Sequence, residues 1–152
     1  MRRWTTSVAA MFLLATLPLI ATSTPSITGN IAGIELCEQA VCGVAAFAGN
    51  FIGEVKSKPT SGVFWAGINH DPLPEAPGDT ANITGGTWLI RTSTRTFSGV
   101  IENGGTLLNN GGNTFIVTLT MTITSGGRGS MSFTGVLDHN PFPPTIIGSI
   151  TQ

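Results

Sequence analysis

Thr114-Phe-Ile-Val-Thr-Leu-Thr-Met-Thr-Ile-Thr-Ser125 is the stretch that decides the fold. Phe115, Val117, Leu119, Met121 and Ile123 occupy alternate positions, and Thr118, Thr120, Thr122 and Thr124 fill the gaps. Successive side chains of a strand point to opposite faces, so this segment predicts a strand with one buried and one polar face. A helix would scatter the same apolar residues around its axis.

Working outward, the same period recurs between glycine-rich breaks. Strands are expected at 27–36, 42–56, 62–69, 82–91, 94–102, 114–124, 129–137 and 145–151. The intervals KPTSG, HDPLPEAPGD, ENGG, NNGGN, SGGRG and HNPFPP carry turn chemistry, and GGTLLNNGGN has room for an extra small hairpin. No segment combines helical spacing with caps; ELCEQAVCGVAAFAG comes nearest and is broken by glycine. The fold expected is all-β and antiparallel, with about eight strands in a barrel and a two-sheet sandwich as the alternative.

Arg2 and Arg3 precede the apolar run Val8–Ala21, and Thr22 and Ser23 follow it, the order of a secretory signal. Residues 1–23 are read as that signal and 24–152 as a single all-β domain, secreted or periplasmic. The run is shorter than the ~20 residues of a bilayer span and Pro18 interrupts it, so no stable membrane span is expected after processing. Residues 24–152 hold five Lys and Arg against eight Asp and Glu, a net charge of −3. Nucleic acid is not an expected partner, because that binding needs clustered cations against phosphates. Cys37 and Cys42, the only cysteines, are expected to form a disulfide.

Both histidines lie in related stretches, WAGINHDPLP (Trp65–Pro74) and FTGVLDHNPFP (Phe133–Pro143). Their likeness suggests an internal repeat of two four-strand halves, and an aromatic-x-Gly motif recurs at Phe51, Phe97 and Phe133. In an up-and-down barrel, strands four apart run in the same direction, so both His loops should emerge at one mouth. His70, Asp71, Asp138 and His139 are therefore the candidates for acid–base or metal-ligand roles. The competing reading is structural. Aligned on the histidines, Asn69 matches Asp138 and Asp71 matches Asn140, and an Asx turn accepts either acid or amide where a base or metal ligand needs the acid. The turn reading explains more of the letters, and neither a metal nor a cofactor is expected.

Arg91 and Arg95, in RTSTR, are expected to present two cations on one strand face, as a solvated edge. Thr92–Thr96 beside Thr118–Thr124 would form neighbouring hydroxyl rows suited to a structural or adhesive surface role. ITGGTW (Ile83–Trp88) resembles the opening strand of avidin-type biotin-binding barrels, over those residues only and mid-chain, and no site residue is taken from it. The function expected is non-catalytic binding of a small apolar molecule or a glycan or other surface component at one barrel mouth, with Phe64, Trp65, Trp88 and Phe142 as candidate ligand-binding aromatics. A small enzyme using His70 and His139 is the alternative.

Overall fold

The structure, a computed structural model, describes residues 26–152. The expected signal lies outside the described residues. The elements in chain order are β1 (Ile27–Cys37), α1 (Gln39–Cys42), β2 (Ala45–Val55), β3 (Lys58–His70), β4 (Thr80–Thr92), β5 (Thr96–Ile101), β6 (Gly105–Gly111), β7 (Thr114–Ser125), β8 (Ser130–Asp138) and β9 (Thr145–Thr151). Every pairing is antiparallel. Neighbours run β1-β2-β3-β4-β5-β7-β8-β9 and back to β1, which closes an eight-strand barrel.

The ninth strand explains GGTLLNNGGN. β6 does not form a hairpin of its own. It pairs with the first part of β4 (Thr80↔Leu108 to Ile83↔Gly105) and of β7 (Leu107↔Val117), while β5 pairs with the later parts of both. β5 and β6 thus run in the same direction and share one place in the wall, separated by the turn at Glu102–Gly104. Three other expectations are corrected. Residues 39–42 form a single helical turn, so β2 begins at Ala45 rather than 42. RTSTR is not one strand: Thr92 Oγ1 accepts from the backbone N–H of Arg95 (3.1 Å) and bends the chain between β4 and β5. For that reason Thr92–Thr96 cannot line up beside Thr118–Thr124; Thr118, Thr120 and Thr122 instead face Thr134, Ser132 and Ser130 of β8.

Alternation predicts the core. Phe115, Val117, Leu119, Met121 and Ile123 of β7 are all buried, and Thr118, Thr120 and Thr124 are exposed. Ile27, Phe51, Ile90, Phe97, Met131 and Ile150 are almost fully buried and fill the end of the barrel where β1 begins and β9 ends. Burial of side chains this size contributes roughly 1.5–3 kcal/mol each. On β7 the inward row is apolar and the outward row is threonine, whereas Ile52, Val63, Val136 and Ile147 are exposed on the outer face of other strands. No helix among the described residues is long and apolar enough to cross a membrane.

The aromatic-x-Gly motif acquires a physical reason here. Phe51 and Gly53 point inward together, as do Phe133 and Gly135, because they are two residues apart. A Cβ on Gly53 would stand 2.8 Å from the Phe51 ring, and one on Gly135 would stand 2.6 Å from Phe133. The glycine makes room for its own strand's ring, and Gly29 and Gly148 on the neighbouring strands do the same. The ITGGTW stretch contains an irregularity in register: Asn69 pairs with Gly85, but His70 pairs with Ile83. Gly85 (φ +144°) and Gly86 (φ +151°) absorb it in a backbone region open mainly to glycine. As a result the buried positions of β4 change from Ala81 and Ile83 to Trp88 and Ile90.

Candidate functional site

β3 and β8 run in the same direction four places apart around the wall, so His70 and His139 emerge at the same mouth. Both lie on the inward rows of their strands, continuing Phe64, Ala66 and Ile68 in one case and Met131, Phe133 and Leu137 in the other. Between them opens a cavity of about 460 Å³. Its apolar wall comes from Ala45, Phe47, Ile68, Leu107, Val117 and Leu137, and its rim from Glu38, Gln39, Asp71, Pro72 and Leu73.

Two tethers shape the rim. Gln39 of α1 makes a paired contact with the backbone of His70: the His70 N–H donates to Oε1 (2.7 Å) and Nε2 donates to the His70 carbonyl (2.9 Å). The short helix reaches this position because Cys37 and Cys42 are joined by a disulfide with Cα atoms 6.1 Å apart. Asn109, buried on β6, holds the other side. Its Nδ2 donates to the carbonyls of Pro74 (2.8 Å) and Glu75 (3.2 Å), and its Oδ1 accepts from the Gly111 N–H (2.8 Å). The β3–β4 loop is thereby fastened over the mouth.

The four candidate residues divide. His70, Asp71 and His139 line the cavity, whereas Asp138 does not. Asp138 Oδ1 accepts from the Asn140 N–H (2.9 Å) and Nδ2 (2.6 Å), which is the Asx turn. Asp71 Oδ2 accepts from Asn82 Nδ2 (3.0 Å), while its counterpart Asn140 donates from Nδ2 to the Gly112 carbonyl (2.7 Å). At these matched positions Asp71 serves as an acceptor and Asn140 as a donor. Among the described residues no three His, Cys, Asp or Glu side chains gather closely enough to hold a metal ion.

His70 Nδ1 lies 2.6 Å from the Asp71 carbonyl. A carbonyl only accepts, so the proton belongs on Nδ1 and Nε2 is left as the basic nitrogen. His139 is packed edge-on against Phe115, with ring centroids 5.4 Å apart. Its Nε2 stands 3.2 Å from Oε2 of Glu35, whose side chain is 5% exposed. That approach is close enough for charge attraction but lacks hydrogen-bond directionality, and neither atom has a hydrogen-bond partner. The short Glu35 contact raises the His139 pKa above the usual 6.5; partial burial opposes this, and the charges of Glu35, Glu38 and Asp138 add to the rise.

Glu35 is the site residue that the sequence reading missed. It sits at the end of the inward row Ile27, Ile31, Gly33, Glu35 of β1, and an acid at an inward position is the signal that could have found it. The four candidate aromatics lie elsewhere. Phe142 is 99% exposed, and Trp65 points outward, 40% exposed. Phe64 and Trp88 are buried in mid-barrel, where the Trp88 Nε1–H donates to the Val100 carbonyl (3.2 Å). Phe64, Trp65 and Trp88 border a separate void of only about 30 Å³. Comparison with protein-family models, curated proteins and solved structures returned no match.

Proposed function

We propose that this chain is an exported binding protein that takes a small, mostly apolar molecule into the mouth formed by the ends of β1, β3, β6 and β8. The single observation that carries the reading is the cavity of about 460 Å³ with an apolar wall and a few polar groups at its rim, a size and make-up in the usual range of small-molecule sites. Export is supported by the apolar run behind Arg2 and Arg3 and by the Cys37–Cys42 disulfide, which persists in oxidising compartments.

The test is titration of the mature protein with an environment-sensitive apolar dye, beside a Leu107→Trp variant that fills the cavity from its wall. Saturable binding to the native protein, lost in a variant that remains folded by circular dichroism, supports the reading. Binding unchanged by Leu107→Trp would place the dye elsewhere and overturn it. Mass determination of the exported chain tests cleavage near Ser23.

A second reading, proton-transfer catalysis on the bound molecule, is favoured by one observation: the basic Nε2 of His70 and the Glu35–His139 pair border the same cavity. It requires that a ligand recovered from the native protein be chemically changed and that one recovered from His139→Gln be intact.

A further inference from the structure

We propose that the mouth selects an amphipathic amine, a molecule with an apolar body and one protonated nitrogen, and seats that nitrogen against Glu35, beside His139. The proposal rests on the reading of the mouth as a binding site and names the class of molecule it takes.

Three observations converge on this class. The first is the pair of orphan atoms. Glu35 Oε2 and His139 Nε2 are both buried in the cavity wall, and both lack a hydrogen-bond partner. A carboxylate only accepts, and its contact with His139 at 3.2 Å lacks hydrogen-bond geometry, so the Glu35 oxygen calls for a donor. An ammonium group brings up to three donors and a positive charge; an alcohol brings one proton and no charge.

The second observation is how charge is distributed along the barrel axis. Lys56, Lys58, Arg91, Arg95 and Arg128, all the Lys and Arg of the described residues, lie at or next to the β2–β3, β4–β5 and β7–β8 turns. Strand direction places those turns at the end opposite the mouth. Glu35, Glu38, Asp71, Glu75, Asp79 and Asp138 lie at the mouth end, and the first three line the cavity. A cleft lined with one sign of charge and walled by apolar groups focuses its field and concentrates ligands of opposite sign. A carboxylic acid would meet like charge there.

The third observation is the burial of Glu35 itself. A carboxylate 95% removed from solvent needs a counter-charge. His139 supplies one only while protonated, and no Lys or Arg of the described residues lines the cavity. An ammonium from the ligand fills that role whenever the imidazole is neutral, while the ligand's apolar body covers Phe47, Leu107 and Val117.

The experiment compares three probes that share one chain: decylamine, decanol and decanoate, each below its aggregation concentration, titrated calorimetrically into the mature disulfide-bonded protein at pH 8.5. An alkyl ammonium remains protonated there, given a pKa near the ~10.4 of lysine. The expected order is amine, then alcohol, then acid, with the amine at least about tenfold tighter than the alcohol, a difference of about 1.4 kcal/mol. Glu35→Gln should bring amine and alcohol within about threefold while alcohol binding persists, and Glu54→Gln at the opposite end should change nothing. If Glu35→Gln does not fold, the double variant Glu38→Gln, Asp71→Asn must reduce the amine preference at least about threefold. An amine no tighter than the alcohol, or a preference that survives Glu35→Gln, overturns the amine assignment and leaves the mouth a binding site for apolar molecules. Failure of all three probes to bind overturns that underlying reading, and this assignment with it.

Discussion

Glu35 Oε2 and His139 Nε2 stand 3.2 Å apart and link the end of β1 to the end of β8 across the intervening β9. Their separation in sequence is more than a hundred residues, and only closure of the barrel brings them together. The contact ties the mouth wall and gives it a titratable character.

That character has a defined sign. A histidine whose folded pKa is raised adds stability that is fully present below the unfolded value of ~6.5 and is lost as pH rises through the folded value. His139→Gln should therefore lower the melting temperature more at pH 5.5 than at pH 8.5. Melts of both proteins at the two pH values provide the check. An equal deficit at both would mean that the pair adds no charge-dependent stability.

Asn109→Ala removes three hydrogen bonds from a buried side chain and frees the carbonyls of Pro74 and Glu75. A loss of about 1–3 kcal/mol is expected, with new proteolytic sensitivity between Asp71 and Asp79. Urea unfolding and limited digestion measure the two effects separately. Lost stability with no gain in cleavage would detach Asn109 from the loop.

Gly49→Ala inserts a methyl where the ideal Cβ would lie 2.8 Å from the Phe64 ring and closer still to the backbone of Ala32 and Gly33. Neither β1 nor the ring can retreat without opening the barrel wall, so about 1–3 kcal/mol of destabilisation is expected. Gly43→Ala makes a useful contrast: its Cβ would meet nothing within 4 Å, but its φ of +77° is strained for alanine. Its cost should be backbone strain alone, of order 1 kcal/mol. Denaturant midpoints that placed Gly43→Ala as the costlier change would contradict the packing argument.

Cys37→Ser, Cys42→Ser opens a ring of a few residues and should cost about 2 kcal/mol on the chain-entropy account. The consequence at the mouth is more specific. Released from the disulfide, α1 should lose the Gln39 contacts to His70, and amide exchange at His70 should accelerate while that of Leu119 in the barrel wall changes little. Uniform acceleration at both would indicate global destabilisation instead of a loosened rim.

The strands were legible in the sequence because period-two alternation is a local property of the chain. Thr114–Ser125 names its own buried face, and the eight expected segments agree with the observed strands to within a few residues except where side chains intervene. Thr92 is one such exception. Its hydroxyl accepts from Arg95 N–H and turns RTSTR into a bend, which no count of apolar letters reveals. The shared mouth of the two His loops followed from strand count and direction alone.

Tertiary structure decided the rest. Alternation cannot say which strand completes the circle, so the place shared by β5 and β6 emerged only when β4 and β7 stood on either side of it. It cannot assign a partner either: Asp138, beside His139 in the chain, turns to Asn140, and the acid that meets His139 is Glu35 from the far end of the sequence. Periodicity follows from backbone geometry, which each residue carries with it. A site is set by which strand ends meet, and that is fixed by long-range pairing.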